Sequence, residues 1–178
     1  MREETRRERY ARKERTAVKL PLSIVTVNFD IDDNLAFAIR TAACFGVSDV
    51  YVIGKVPDRK YIHPKSGSLS DYYELRSFSN PSHFLSFARE RDFHLVSAEL
   101  TDNAQNLYEY DFDFEKEICL VLGHETTGVP PELVLNSDVV YIPMIGVGYC
   151  LNTSQTGTAM VSEYCRQHLE NVLRQKKD

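Results

Sequence analysis

Apolar positions divide the chain into short runs and amphipathic stretches. Leu22–Asn28 is a β-branched run of strand length, and Leu35, Ile39 and Ala42/Ala43 recur at helical spacing within Asn34–Phe45. Asp30–Asp33 supplies turn and N-cap residues ahead of that helix, and Gly46 supplies its stop. A second strand, Asp49–Ile53, follows at once. Strand, helix and strand joined by short links predict a βαβ unit, and hence a parallel sheet with helices packed on it. Tyr73–Phe78 predicts a short strand, Pro81–Arg91 a helix with Phe84, Leu85, Phe87 and Ala88 inward, and His94–Ala98 another strand. Ile118–Leu122 and Val139–Ile142 predict two further buried strands, separated by a helical turn over Pro131–Leu135. The last helix runs from Ser154 to about Arg174. Two segments resist assignment: the polar, Pro- and Gly-containing connection 55–72, and the acidic, aromatic connection 99–116. Connections of that length in compact domains are often binding loops.

In an α/β sheet, ligands sit beyond the carboxyl ends of the strands. Here those ends carry 28–34, Gly54, 123–128 and 143–154. With 178 residues the chain accommodates one core of three-layer size. No apolar run approaches the roughly 20 residues of a membrane span, and no apolar segment follows the charged N-terminus as in a secretory signal. The four cysteines (Cys44, Cys119, Cys150, Cys165) form no CxxC pair and read as free buried thiols. A cytoplasmic protein is the expectation.

Net charge is −5, but residues 1–20 hold eight Lys/Arg against four Glu, leaving −9 for the remainder. As a helix, residues 2–16 would align Arg2, Arg6, Arg9 and Lys13 on one face. This arm (1–19) reads either as a solvated helix held by Glu–Arg pairs or as a surface for phosphates.

Several chemistries fall away. The glycines of Gly123–Gly128 have the spacing of a phosphate-cradling loop, but Val129-Pro130 stands where Lys-Ser/Thr is required. No GxGxxG follows the first strand, no GxSxG turn occurs, and the five histidines show no ligand pairing, so no metal site is expected.

The residues left at the strand ends carry a resemblance. Asn34-Leu-Ala-Phe-Ala-Ile-Arg40-Thr-Ala-Ala-Cys-Phe-Gly46, Leu120-Val-Leu-Gly123-His-Glu125-Thr-Thr-Gly128-Val, and Ile142-Pro-Met-Ile-Gly146 through Cys150-Leu-Asn152-Thr-Ser154 resemble, in order, the three motifs of the SPOUT methyltransferases, in their SpoU or TrmH-like branch. The resemblance covers roughly residues 20–170, within a domain taken as 20–178. It implies a parallel-sheet sandwich with helices on both faces and a deep C-terminal trefoil knot. It also implies S-adenosyl-L-methionine as cofactor, a homodimer, and RNA ribose 2′-O-methylation. tRNA is favoured over ribosomal RNA as substrate, and a catalytically inactive knotted RNA-binding protein is the competing class. By position, the donor would lie on Leu122, Gly123, Ile142, Met144 and Leu151, although each of these also reads as a turn glycine or a core residue. Arg40 would be catalytic, contacting the phosphate beside the target ribose, with Asn34, Glu125 and Asn152 aligning the reactants. The motif departs from the family at Ala36 and at Cys150, where a thiol, a weaker hydrogen-bonding group, replaces the usual serine.

Overall fold

The computed structural model describes residues 4–175. Helix α1 (Arg6–Glu14) opens on a capping box: Thr5 Oγ1 accepts from the Glu8 amide while the Glu8 carboxylate accepts from the Thr5 amide. Then follow β1 (Leu20–Val27), α2 (Asp32–Phe45), β2 (Val47–Ile53), α3 (Arg59–Ile62), a 3-10 turn (Ser70–Tyr72), β3 (Arg76–Phe78), α4 (Pro81–Glu90) and β4 (His94–Ala98). The chain ends with β5 (Gln105–Asn106), β6 (Ile118–Leu122), α5 (Pro131–Val134), β7 (Asp138–Tyr141) and α6 (Thr153–Gln175).

The strands form one sheet in the order β3-β2-β1-β6-β4-β7-β5, and every pairing is parallel. Parallel strands buried on both faces need near-continuous apolar sequence, and β6 is buried at all five positions. One face packs on α2 and α6 through Leu35, Ile39, Met160 and Tyr164; the other packs on α4 and α5 through Phe84, Leu85, Phe87 and Leu133. The expected sandwich with helices on both faces is what forms.

Three details depart from expectation. Connection 55–72 is structured, because Arg59 makes two hydrogen bonds to the Asp71 carboxylate and His63 Nδ1 meets Ser70 Oγ at 2.9 Å. Connection 99–116 contributes the two-residue strand β5, which pairs with β7. Only Cys119 is a buried thiol; Cys44 and Cys150 are exposed and Cys165 is intermediate. Among the described residues no helix is long and apolar enough to cross a membrane.

Both β6 and β7 are laid into gaps. Strand β6 enters between β1 and β4, pairing Leu120 with Ile24 on one side and Val96 on the other. Strand β7 enters between β4 and β5. The carboxyl ends of β4, β6 and β7 are thereby neighbours.

Candidate active site

A cavity of about 870 Å³ opens over those three strand ends. Leu122, Gly123, Ile142, Met144 and Leu151 all line it, as do Glu125 and Asn152. Five residues from three separate stretches of sequence therefore line one cavity.

The loop after β6 is tightly closed. His124 and Gly128 exchange two main-chain hydrogen bonds of 3.0 Å. A Cβ on Gly123 would lie 2.4 Å from the Gly128 carbonyl carbon, so the chain can return over Gly123 only because no side chain is there. Gly128 has φ +69, and a Cβ on it would meet Glu99 Oε2 at 2.1 Å. Glu99 holds the far end of the loop, accepting from the Val129 amide at 2.8 Å and from the Leu100 amide at 2.9 Å. Inside the loop His124 Nδ1 accepts from the Thr126 and Thr127 amides (3.0 and 3.3 Å). Its other ring nitrogen therefore carries the proton and faces Asp30 Oδ2 at 3.1 Å.

Glu125 ties this loop to the start of α2. Its carboxylate accepts from the Asp30 amide (3.1 Å), the Ile31 amide (3.2 Å) and Asn34 Nδ2 (2.6 Å). Burial by itself would raise its pKa; the hydrogen bonds from Asn34 and the main-chain amides outweigh burial and hold the carboxyl below its ordinary range. Glu125 is thus an ionised, acceptor-only clamp at neutral pH rather than a proton donor.

Asn152 caps α6. Its Oδ1 accepts from the Ser154 amide (2.9 Å) and hydroxyl (2.7 Å), and Gln155 Oε1 accepts from the Asn152 amide (3.3 Å). Thr153 Oγ1 donates to the Gly123 carbonyl at 2.9 Å, joining the first turn of α6 to the end of β6. Cys150 also lines the cavity, exposed.

Arg40 stands apart. Asn34 reaches the cavity through Glu125, but Arg40 lies six residues on, about 9 Å along the helix axis at the usual rise, and does not line the cavity. It is exposed, and its guanidinium rests against Gly67, where a Cβ would lie 3.7 Å from Cζ. Of the four basic residues aligned on the arm, Arg9 and Lys13 are exposed on α1; Arg2 and the side chain of Arg6 lie outside the described residues. Glu99 and Thr153 are contributors that the motifs do not single out. Glu99 directly follows β4, whose end at Ala98 the sequence predicts, so the strand-end rule applied to that strand as well would have found it. Among the described residues no group of three or more His, Cys, Asp and Glu could hold a metal ion.

A sequence model described as the SpoU rRNA Methylase family matches residues 21–162. Mouse tRNA (guanosine(18)-2′-O)-methyltransferase TARBP1 is 32% identical over 155 residues, covering 83% of this chain and 10% of the mouse protein. The Escherichia coli K12 tRNA (guanosine(18)-2′-O)-methyltransferase is 25% identical over 135 residues, covering 75% of this chain and 58% of the enzyme. The chain thus spans a tenth of one curated relative and under two thirds of the other. Among solved structures, the SpoU methyltransferase AviRb from Streptomyces viridochromogenes in complex with AdoMet shares the fold, with a TM-score of 0.74 and 22% identity over 88% of this chain and 61% of AviRb.

Proposed function

We propose, from the premise that this chain belongs to the SpoU rRNA Methylase family, that it is an S-adenosyl-L-methionine-dependent methyltransferase acting on the ribose 2′-oxygen of RNA, with tRNA as substrate. The cavity over β4, β6 and β7 carries this reading, since all five residues assigned to the donor by motif line it. Its size suits a nucleoside-bearing cofactor. Gly123 is part of that lining, and its missing side chain lets the Gly128–Val129 backbone close the loop against it. The donor, when bound, supplies an electrophilic methyl group.

The chain's own residues bind, align and screen. Leu122, Ile142, Met144 and Leu151 enclose apolar surface and exclude water. Glu125 fixes the β6 loop to the start of α2 through Asn34 and two amides, so the cavity wall and the helix bearing Arg40 act as one piece. Arg40 meets the RNA at the exposed face of α2, binding the phosphate beside the target ribose and favouring loss of the 2′-hydroxyl proton. A guanidinium offers five N–H donors and no acceptor, so Arg40 works as a cation and hydrogen-bond donor rather than as the base itself. Alignment of oxygen and methyl supplies much of the acceleration. The AviRb neighbour's AdoMet and the relatives' tRNA substrates support the choice of cofactor and RNA.

The same reading takes the segment after β7 to be threaded as a trefoil knot. The hydrogen bond from Thr153 to Gly123 and the packing of Gly157 on Leu122 hold the start of α6 beneath β6, as such a path needs. It also takes the chain to act as a homodimer in the cytoplasm.

Incubating the protein with methyl-labelled donor and separated tRNA and ribosomal RNA, then mapping the modified nucleotide, tests the reading. Label on a tRNA ribose is the expected result. Label on ribosomal RNA changes the substrate, label on a base overturns the 2′-O assignment, and RNA binding without transfer favours the inactive binder.

A further inference from the structure

The exposed guanidinium of Arg40 rests on a built turn that the strand-end site leaves unused. Ser66, fully buried, donates to the His63 carbonyl (3.0 Å) and accepts from the Ser70 amide (3.2 Å). Gly67 and Ser68 follow in the left-handed region, with φ of 73° and 68°. A Cβ on Gly67 would lie 3.7 Å from Arg40 Nη1 and 3.8 Å from the hydroxyl of Tyr10, a residue of α1. That hydroxyl donates to the Gly67 carbonyl at 3.3 Å, a bond between groups 57 residues apart. Tyr10 is also the one half-buried position among the described side chains of α1; the others are exposed. The arm therefore meets the body of the protein at the same glycine on which Arg40 lies.

The local charges divide into two groups. Arg59 is paired with Asp71 at 2.7 Å, Lys60 with Asp58 at 3.5 Å, and Lys65 with Asp33. Among the described residues Arg40, Arg9 and Lys13 have no carboxylate within ion-pair distance. Paired cations hold the turn in shape, and the unpaired ones remain for a ligand. An arginine held on a main-chain surface without a carboxylate suits a phosphate oxygen.

We propose that α1, the turn at 63–68 and Arg40 form one RNA-phosphate platform, latched by the Tyr10 hydroxyl on the Gly67 carbonyl. The arm's hold on the RNA backbone and that of Arg40 are then coupled. Tyr10 is a positioning residue: it touches no substrate and sets the arm against Arg40. The identity of the anion as RNA phosphate rests on the methyltransferase reading above.

A double-mutant cycle on the full chain, read as affinity for bulk tRNA, tests the latch. Tyr10→Phe removes the hydroxyl and keeps the ring. In the chain with Arg40, Tyr10→Phe weakens tRNA binding about five-fold, the scale of one neutral hydrogen bond. In the Arg40→Ala background it costs nothing further, while donor affinity is unchanged in all four proteins. Equal losses in both backgrounds, or no loss in either, overturn the platform. Labelled-donor transfer by the unaltered chain is measured alongside. Absent transfer with a coupled cycle removes the methyltransferase reading and leaves the platform. Transfer with an additive cycle does the reverse.

Discussion

Replacing Arg40 with alanine removes a cation from the exposed side of α2 without opening the core, since the residue is exposed and makes no ion pair among the described residues. Fold and donor affinity should survive, while methyl transfer to tRNA falls below detection. An Arg40→Ala protein with measurable turnover would remove the residue from the site. Glu125 makes a different prediction, because both of its oxygens are acceptors for fixed donors. A glutamine there turns an N–H toward the Asp30 amide, which loses its acceptor at a partly exposed site, and a lost hydrogen bond of that kind costs about 0.5–1.5 kcal/mol. Glu125→Gln should therefore lower the unfolding temperature as well as activity, although it is nearly isosteric. The pH dependence has a definite sign. The folded-state pKa of Glu125 is lowered, so the clamp contributes fully above the unfolded value of about 4.3 and is lost as pH falls through the lower folded value. The amide resonances of Asp30 and Ile31 should titrate with a midpoint below that ordinary range. A midpoint at or above it would show that the carboxylate is not held as described.

At the scale of elements, the loop over 123–128 and the arm carry predictions that composition alone could not supply. Gly123→Ala drives a Cβ to 2.4 Å from main-chain carbon, which cannot rotate away as a flexible side chain would. Overpacking of that kind costs about 1–3 kcal/mol, and donor affinity measured by calorimetry should fall by an order of magnitude or more while the sheet still folds. Deleting residues 2–16 should leave donor affinity intact and weaken tRNA binding, with the salt dependence becoming shallower by about 0.9 for each phosphate the arm no longer neutralises. Equal RNA affinity in the truncated protein would retire the arm as an RNA-binding surface. Elements with continuous apolar sequence are legible from periodicity: β6, α4 and the Gly46 stop of α2 fall where the apolar pattern predicts them. Order in 55–72 is not legible in that way, because it comes from pairs such as Arg59–Asp71 and His63–Ser70 that no local period encodes. Strand β5 is two residues long and exists only where β7 lies beside it.

Across the whole molecule, the strand-end rule points to the end of the sheet where the cavity opens, because parallel sheets present their loops there. Strand order is not readable: β6 and β7 each fill a gap between strands formed earlier in the chain, a long-range pairing without local signature. The environment of Arg40 has the same long-range origin, since the 63–70 turn, distant in sequence, receives its guanidinium at the surface of α2. One surface remains unaccounted for by a single chain. In the segment between β7 and α6, Ile145, Val147 and Tyr149 are 104%, 99% and 91% exposed. Burying each such side chain is worth roughly 1.5–3 kcal/mol, so three together on one short segment favour association over exposure to water. The homodimer reading assigns this segment to the contact between copies, beside the cavity wall formed by Met144 and Leu151. Sedimentation of the full chain should then give twice the chain mass, and Ile145→Asp with Tyr149→Asp should return it to a monomer with an unchanged sandwich by circular dichroism. Because Tyr149 itself lines the cavity, the doubly substituted protein should also bind donor more weakly. A doubly substituted protein that stays dimeric would place the interface elsewhere, and a wild-type chain that sediments as a monomer would remove the dimer.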